Sequence, residues 1–267
     1  NLRQQKNKVS IEISNLKKAG KPVKTKVEEG KAIDTAIKEN ESELDKLQAK
    51  ERELLLNIPN LLHDSVPPGK DGNDNVEIRK WGSPPEFDFK PKNHQEILEN
   101  MGLLDTEKAA KTSGSGFVYL IGELALLDLA IQKYAIDFLR KKKFTVIEPP
   151  FMINGKAYEG MIGNPFDFTE ASYKIEGEEL YLIPTAEYPL GAMFVDQVFK
   201  ESEMPLKLCG VSAAFRKEVG AHGKYTKGLF RMHQFNKIEQ FVFSTPEESW
   251  KILEDLQKNS EELYQGL

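Results

Sequence analysis

Charged and aromatic side chains alternate along two strands predicted in the C-terminal half of the chain. Arg216 and Glu218 share one face near the end of a strand predicted over residues 206–218. The residues that share a face of the return strand, predicted over residues 231–243, are Arg231, His233, Phe235, Lys237 and Glu239. Arginine can bind a carboxylate or a phosphate, a carboxylate can hold an ammonium group, and an aromatic ring can stack on a base. The pattern indicates a surface for a small zwitterion and a nucleotide, or else simply the wet face of an antiparallel sheet.

A second candidate site is the segment Ile183 to Pro189, in which two prolines frame Thr185 and Glu187. A hydroxyl and a carboxylate two residues apart could bind an ammonium or hydroxyl group. Thr185 could instead cap the helical segment that follows it. The spacing alone leaves both interpretations open.

A basic, glycine-bearing loop is predicted over residues 219–230, between the two long strands. It could fold over phosphates, but it has neither the P-loop pattern nor the Rossmann glycine spacing, so an ordinary surface loop is the alternative. His222 and His233 are assigned no catalytic role. The single cysteine, Cys209, excludes an internal disulfide, and four scattered histidines give no ligand spacing, so we expect no structural metal.

Short elements must position these residues. Upstream of the two long strands, a helix is predicted over residues 120–140, and shorter strands are predicted over residues 145–147 and 180–183. Pro149 and Pro150 end the first of these strands, and Thr245 is predicted to cap a closing helix with Pro246 as its first residue. Because helices and strands do not alternate strictly, the fold class is predicted as α+β, an antiparallel sheet flanked by helices.

The N-terminal segment has the pattern of an antiparallel helical hairpin. Apolar residues at three- and four-residue spacing predict helices over residues 1–19 and 23–57, separated at Gly20-Lys21-Pro22. Counting outward from this turn, residue 1 lies opposite about residue 41. The leucines beyond that point therefore lack a facing partner in the chain: Leu44, Leu47, Leu54 and Leu55. We expect an arm that projects outward, and residues missing upstream of Asn1.

Charge is distributed unevenly along this hairpin. The net charge of -5 argues against nucleic acid coating the whole surface. The first 26 residues nevertheless carry eight basic residues and one acid, whereas residues 27–56 carry nine acids and five bases. A basic tip on an acidic stalk suits a phosphate-rich partner, although charge matching within a solvated helix pair is the alternative. No apolar run reaches 18 residues and the start lacks a targeting pattern, so we expect a soluble, cytoplasmic protein with no membrane partner.

Several segments together resemble the seryl-tRNA synthetases, a class II family. Phe215-Arg216-Lys217-Glu218, the glycine loop and residues 228–235 resemble motif 2. Thr185-Ala186-Glu187 resembles the serine-binding TxE loop, and residues 143–152, with Pro150, resemble motif 1 at the dimer interface. The similarity also includes residues 58–61, 76–85 and 113–116, so it covers essentially the whole chain. Details such as Ile238-Glu239-Gln240-Phe241 look like archaeal members of the common type, not the zinc-dependent form.

The resemblance implies a division into two domains. Residues 1–65 would form a tRNA-binding coiled-coil arm, and residues 66–267 a class II catalytic domain that begins with a linker over residues 66–95. The glycine- and arginine-rich helix of motif 3 should lie beyond residue 267. We therefore expect the chain to be truncated at both ends and to be inactive or nearly so by itself.

The implied activity is that of a serine-tRNA ligase, which activates serine with ATP and Mg²⁺ and transfers it to tRNA(Ser), as a homodimer. Arg216 would be the catalytic residue, contacting the ATP α-phosphate and the serine carboxylate. The resemblance implies serine binding by Thr185, Ala186, Glu187, Arg216 and Glu239; ATP binding by Arg216, Lys217, Glu218, Met232 and Phe235; tRNA binding by Lys17, Lys18, Lys21 and Lys24; and a dimer contact at Pro150.

Two other functions fit parts of the pattern. A synthetase-like paralogue could charge a different acceptor, such as a carrier protein, although such paralogues lack the long arm. A non-catalytic coiled-coil adaptor would need the hairpin alone. Serine-dependent exchange of pyrophosphate into ATP distinguishes the three.

Overall fold

The computed structural model describes residues 1–162, 172–218 and 229–267 of the 267-residue chain. The chain divides into two compact units, residues 1–77 and residues 78–267. The predicted domain boundary after residue 65 stays a prediction. Residues 219–228 of the predicted basic loop, with His222, lie outside the described residues.

The first unit contains the predicted antiparallel helical hairpin. Helix α1 spans Leu2–Lys18 and helix α2 spans Lys24–Leu56. A salt bridge of 2.9 Å joins Arg3 Nη2 to Glu41 Oε1, which confirms the register counted from the turn. The leucines farther along α2 are all more than half exposed, as that register predicts: Leu44, Leu47, Leu54 and Leu55.

The second unit is built of six helices and seven strands among its described residues, besides a short 3-10 turn at Glu201–Glu203. Its helices are α3 (His94–Asn100), α4 (Thr106–Ser113), α5 (Glu123–Lys141), α6 (Gly155–Ile162), α7 (Glu187–Ala192) and α8 (Ser249–Gln265). Its strands are β1 (Leu104–Asp105), β2 (Tyr119–Leu120), β3 (Thr145–Ile147), β4 (Met152–Asn154), β5 (Leu180–Leu182), β6 (Leu206–Phe215) and β7 (Gln234–Phe243).

A three-stranded sheet in the order β3, β6, β7 forms the centre of this unit. Strands β6 and β7 are antiparallel over ten residue pairs, and β3 joins the other edge of β6 in parallel. The antiparallel pairs β1–β2 and β4–β5 form two smaller sheets. The mixed helix and sheet content confirms the predicted α+β class.

Both faces of β6 are covered. On one face Cys209 packs with Leu139 of α5 and Phe144. On the other face Leu208 packs with Ala186 and Leu190 of α7. A strand that is buried on both sides has no simple alternation of apolar and polar residues. This explains why the sequence pattern shows no clean division into a dry and a wet face.

The ends of the two long strands differ from the prediction. Strand β6 stops at Phe215 and not at Glu218, whose φ of +53° is incompatible with a strand. Strand β7 begins at Gln234, so Arg231 and His233 lie outside it. Strand alternation therefore cannot be the reason why these charged residues meet.

The closing helix also begins later than predicted. Its first residue is Ser249, and Thr245 is not its cap. The Glu248 backbone N–H donates to the Thr245 carbonyl at 3.2 Å, and Ser249 Oγ donates to the Pro246 carbonyl at 2.9 Å. These bonds close a turn over residues 245–249, so the backbone groups near Pro246 are satisfied before the helix starts.

Candidate active site

Thr185 lies at the centre of a buried polar cluster. The residue is only 4% exposed to solvent. Thr185 Oγ1 donates a hydrogen bond to Glu239 Oε2 at 2.6 Å. The same oxygen accepts hydrogen bonds from the Glu187 backbone N–H at 3.2 Å and from Lys237 Nζ at 3.0 Å. Lys237 Nζ also lies 2.5 Å from Glu239 Oε2. The hydroxyl therefore contacts the first residue of α7 and a carboxylate of β7 at once. The N-cap residue of α7 is Ala186, so Thr185 precedes the cap instead of forming it.

Close packing of the sheet against the segment before α7 brings these groups together. The Phe215 backbone N–H donates to the Ile183 carbonyl at 2.9 Å. Gly210 lies opposite Glu239 in the sheet, and a Cβ atom there would come within 2.7 Å of the Ala186 Cβ. Only a residue without a side chain allows this approach. Ala186 itself is fully buried, so its contribution to the cluster is packing.

Arg216 comes directly after β6 and is exposed. Its Nε donates to the Pro184 carbonyl at 3.3 Å, and its guanidinium carbon lies 5.1 Å from the centre of the Phe235 ring. Lys217 is half-buried, with Nζ 5.9 Å from the centre of the Tyr173 ring. Both cations therefore rest against aromatic faces, a contact that favours positive charge.

Glu218 pairs with Arg231 across the end of the hairpin, with Arg231 Nη1 3.2 Å from Glu218 Oε2. The Glu218 side chain is 18% exposed and the Arg231 side chain 48%. The sequence pattern placed Arg231 and Lys237 on the charged face of the return strand but gave neither an individual role. Lys237 shares a strand face with Glu239, and this two-residue spacing was the available signal for its inclusion.

A cavity of about 380 Å³ is lined by four of the nine residues predicted to bind serine or ATP. Thr185, Glu187, Arg216 and Glu218 line it together with Lys237. Two further predicted residues contact this lining, since Glu239 binds Thr185 and the Phe235 ring lies against Arg216. Met232 is different, because it lines a separate cavity of about 780 Å³ with Arg231, Phe230, Phe117 and His94 among others.

Aromatic side chains form one wall of the smaller cavity. Tyr158 and Tyr188 meet edge to face with their ring centres 5.0 Å apart, and the Tyr158 hydroxyl is hydrogen-bonded to Ser172 Oγ. Burial raises the pKa of both tyrosines, although the Ser172 bond opposes this for Tyr158. The wall is therefore neutral at physiological pH. No pattern in the sequence connected these residues to the site.

The four lysines predicted to bind tRNA lie in the first unit, at the turn of the hairpin. All are exposed, and none forms an ion pair within residues 1–77, all of which are described: Lys17, Lys18, Lys21 and Lys24. Charges on either side of the turn are matched, since Lys26 Nζ lies 2.7 Å from Glu12 Oε2 and Lys6 Nζ lies 2.6 Å from Asp34 Oδ1. Charge matching therefore pairs several charges along the stalk, whereas the lysines at the tip have no acidic partner within residues 1–77.

The described residues contain neither a membrane-spanning helix nor a cluster of metal-binding side chains. Within residues 1–162, 172–218 and 229–267, none of the helices combines the length and apolar character needed to cross a membrane. Over the same ranges, no group of three or more histidine, cysteine, aspartate or glutamate residues is arranged to hold a metal ion. The predicted absence of a structural metal stays a prediction.

Two family models match the chain. The model of the seryl-tRNA synthetase N-terminal domain matches residues 1–62, and that of the class II tRNA synthetase core domain (G, H, P, S and T) matches residues 169–267. The serine-tRNA ligases of Methanocella arvoryzae and Methanoregula boonei are each 48% identical over 266 residues. Each match covers 100% of this chain and 62% of the relative, so the chain spans about three fifths of the length of these curated relatives.

Two solved structures are similar over nearly the whole chain. The seryl-tRNA synthetase from Pyrococcus horikoshii complexed with ATP has a TM-score of 0.84 and 43% identity, covering 99% of this chain and 63% of that one. The cytoplasmic serine-tRNA ligase from Naegleria fowleri in complex with AMP has a TM-score of 0.78 and 35% identity, covering 100% of this chain and 63% of that one.

Proposed function

This chain belongs to the seryl-tRNA synthetase family, and on that premise we propose that it supplies the serine-activating and tRNA-binding parts of a serine-tRNA ligase. The proposed reaction joins serine to AMP with release of pyrophosphate, and then transfers the seryl group to tRNA(Ser). One observation supports it above all: Thr185, Glu187, Arg216 and Glu218 line a single cavity of about 380 Å³.

Serine recognition rests on the Thr185–Glu239 pair. Thr185 and Lys237 both bind Glu239 Oε2, which holds the carboxylate in one orientation. Among the described residues, Glu239 Oε1 accepts no hydrogen bond, so it is the oxygen we assign to the serine hydroxyl and ammonium groups. Thr185 and Glu187 help to orient the ammonium. Alanine would leave this acceptor unpaired, and an unpaired buried polar group costs about 1–3 kcal/mol.

Arg216 is assigned to the serine carboxylate and the ATP α-phosphate. The serine carboxylate oxygen attacks the α-phosphorus and pyrophosphate leaves, so the protein supplies position and charge, and no nucleophile of its own. Negative charge grows on the α-phosphate oxygens in the transition state, where a fixed guanidinium stabilises it. Lys217, the residue directly before Glu218, is assigned to the nucleotide phosphates.

The adenine is assigned to Phe235, which offers a ring for stacking, and to Glu218, whose carboxylate can accept from the adenine amino group. Glu218 Oε2 is paired with Arg231 in this structure, and a carboxylate has a second oxygen that can accept from the adenine amino group. Met232, which lines the separate cavity, enters the proposal only through its backbone groups.

Mg²⁺ belongs to the proposal as a companion of ATP. Magnesium in nucleotide sites is held largely by substrate phosphates and water, with one or two carboxylates from the protein, and it neutralises phosphate charge. Among the described residues Glu218 and Glu187 are the carboxylates that line the cavity.

The hairpin is assigned to tRNA(Ser), with Lys17, Lys18, Lys21 and Lys24 facing its phosphates. Homodimerisation is part of the proposal, with Pro150 at the interface; it is exposed and follows the buried Pro149. The place of action is the cytoplasm, where tRNA charging serves translation.

The test is serine-dependent exchange of pyrophosphate into ATP by the complete natural protein that contains this chain. We expect exchange with the wild type and a loss of at least about 100-fold for Glu239→Ala, because the substrate hydroxyl and ammonium lose their acceptor. Glu262→Ala is the matched control, since Glu262 pairs with Lys142 away from the cavity. A wild type that exchanges equally well without serine would refute the proposal.

A second arm of the test separates the hairpin from the cavity. Deleting residues 1–57 should abolish tRNA charging and spare exchange. Equal loss of both would contradict the assignment of the hairpin. Exchange without transfer to tRNA(Ser) would favour a paralogue that charges another acceptor. A wild-type protein that shows no exchange would favour a coiled-coil adaptor.

A further inference from the structure

At the end of the β6–β7 pairing, the His233 side chain takes the place of a backbone hydrogen-bond donor. The last strand pair is Phe215 with Gln234, and the next pair outward is Arg216 with His233. The Arg216 backbone N–H donates to the His233 carbonyl at 2.9 Å. In an antiparallel ladder the His233 N–H would return this bond to the Arg216 carbonyl.

The return bond comes from the imidazole ring instead. The His233 backbone N–H donates to the Gly116 carbonyl at 3.0 Å. His233 Nδ1 lies 2.9 Å from the Arg216 carbonyl oxygen. The ring therefore replaces the missing backbone donor, so Arg216 keeps a partner for both its backbone groups while residues 231–233 leave the sheet.

The imidazole is held in place from several sides. It stacks on Phe117, with ring centres 5.1 Å apart and 14° between the planes. Gly116 has a φ of +82°, and a Cβ atom there would lie 2.5 Å from His233 Cδ2, so residue 116 must be glycine for the ring to fit. The Tyr173 hydroxyl lies 2.6 Å from His233 Nδ1.

The bond between the imidazole ring and the Arg216 carbonyl requires one particular tautomer. A carbonyl oxygen can only accept, so the bond to Arg216 requires the hydrogen on Nδ1. The Tyr173 oxygen beside it is then a second acceptor for the same hydrogen. If Tyr173 donated to a bare Nδ1 instead, the Arg216 carbonyl would lose its partner.

We propose that His233 is a positioning residue for Arg216: its Nδ1–H holds the Arg216 backbone just past the end of β6 and thereby sets where the guanidinium lies. The guanidinium has two other contacts, the Pro184 carbonyl and the Phe235 ring, and both depend on that backbone position. The inference rests on the proposed function, because the role of Arg216 in binding ATP makes its position matter.

Two substitutions separate the hydrogen bond from the ring. In His233→Asn the side-chain amide nitrogen lies near the place of Nδ1, so it can donate to the Arg216 carbonyl. In His233→Gln the amide lies near the place of Nε2 and points away from that carbonyl. Both side chains are uncharged, and both variants lose the stacking on Phe117. Any effect of lost stacking or lost stability should therefore be the same in the two variants.

The measurement is the Kd for ATP by titration calorimetry, together with serine-dependent exchange, in the complete natural protein. We expect His233→Asn to remain within about threefold of wild type and His233→Gln to raise the Kd about tenfold, the effect of losing one hydrogen bond. His63→Gln is the control and should leave both unchanged. Equal effects of Asn and Gln would overturn the proposal.

A double substitution tests the route through Arg216. Arg216→Ala removes the guanidinium but keeps the backbone carbonyl, so His233→Gln should add no further loss of ATP affinity in that background. Additive losses would mean that His233 acts elsewhere, and would overturn the proposal. If Arg216→Ala by itself left ATP affinity unchanged, the proposed function would fail at this residue.

Nitrogen-15 NMR of the histidine rings tests the hydrogen bond without reference to catalysis. We expect the spectrum to show that the His233 ring carries its hydrogen on Nδ1. A ring protonated on Nε2 with a bare Nδ1 would overturn the inference, whatever the ATP titrations give.

Discussion

The turn of the helical hairpin and the candidate active site both present cations, but the surroundings of these cations differ. At the turn Lys17 and its three neighbouring lysines are exposed, with no ion pair among the described residues. Around the candidate active site three cations have fixed partners. Arg216 contacts the Pro184 carbonyl, Arg231 pairs with Glu218, and Lys237 pairs with Glu239.

This difference corresponds to two kinds of ligand. Long exposed lysines keep their rotamer freedom, and they can follow phosphates spread along a nucleic acid with little demand on geometry. Cations that are already held by carboxylates and rings lose little entropy when they bind one small molecule in one orientation. The comparison supports the proposal that the exposed lysines of the hairpin attract a nucleic acid and that the cavity selects one small substrate.

The largest expected effect concerns the turn. Replacing Lys17, Lys18, Lys21 and Lys24 together by alanine should raise the Kd for tRNA(Ser) about 100-fold at low salt and reduce the slope of log K against log salt by about 0.7–0.9 per lysine. Filter binding at several salt concentrations measures both. Lys6→Ala is the control, because Lys6 is matched by Asp34. An unchanged salt slope would show that the turn does not face phosphates.

Replacing a glycine by alanine should change folding stability in opposite directions in the two regions. In the hairpin a Cβ at Gly30 would meet Val9 Cγ1 at 3.7 Å, an ordinary contact, so Gly30→Ala should raise helix stability by about 1 kcal/mol. In the sheet Gly210→Ala would bring a Cβ within 2.7 Å of Ala186 and 2.8 Å of Leu190. That overpacking should lower stability by about 2 kcal/mol.

Thermal and urea unfolding of the chain, followed by circular dichroism, measures these changes. The same Gly210→Ala protein should also bind serine more weakly, since Ala186 adjoins Thr185. Gly210→Ala with wild-type stability would mean that the sheet and α7 are less closely packed than described.

The smallest expected effect concerns Ser212, which lies opposite Lys237 in the sheet. Its hydroxyl is buried, at 4% exposure of the residue, and has no hydrogen-bond partner among the described residues. A buried hydroxyl without a partner is destabilising, so Ser212→Ala should raise the free energy of unfolding by about 1 kcal/mol. Ser260→Ala, which removes a hydroxyl bonded to the Leu256 carbonyl, should not stabilise. If Ser212→Ala lowered the free energy of unfolding, this would contradict the absence of a hydrogen-bond partner for the Ser212 hydroxyl among the described residues.

The hairpin was predicted more completely than the sheet. Its two helices follow from apolar spacing within one segment, and its register follows from counting across a short turn, as the Arg3–Glu41 salt bridge confirms. The information needed is local in the chain. The residues of the candidate site were proposed from a motif. Four of the nine line one cavity, and their individual roles stay predictions.

The ends of β6 and β7 could not be predicted in the same way. They depend on the His233 ring and on the Gly116 carbonyl, more than 100 residues away in sequence. The start of α8 was misplaced for a related reason, since Thr245 bonds through its backbone carbonyl and its side chain does not cap the helix. Propensity describes a residue's own preference and not the partners that the fold supplies.

By itself the sequence determined the helical hairpin and its register, the charge of its tip, the mixed helix and sheet content, and the residue types of the candidate site. Only the tertiary structure decided that Thr185 would bind Glu239 across 54 residues, that Lys237 would join them, and that Tyr158 would form the wall. Helical periodicity acts over a few residues and is legible in the chain. The convergence of distant side chains depends instead on how sheet and helices pack, including the close approach that Gly210 permits.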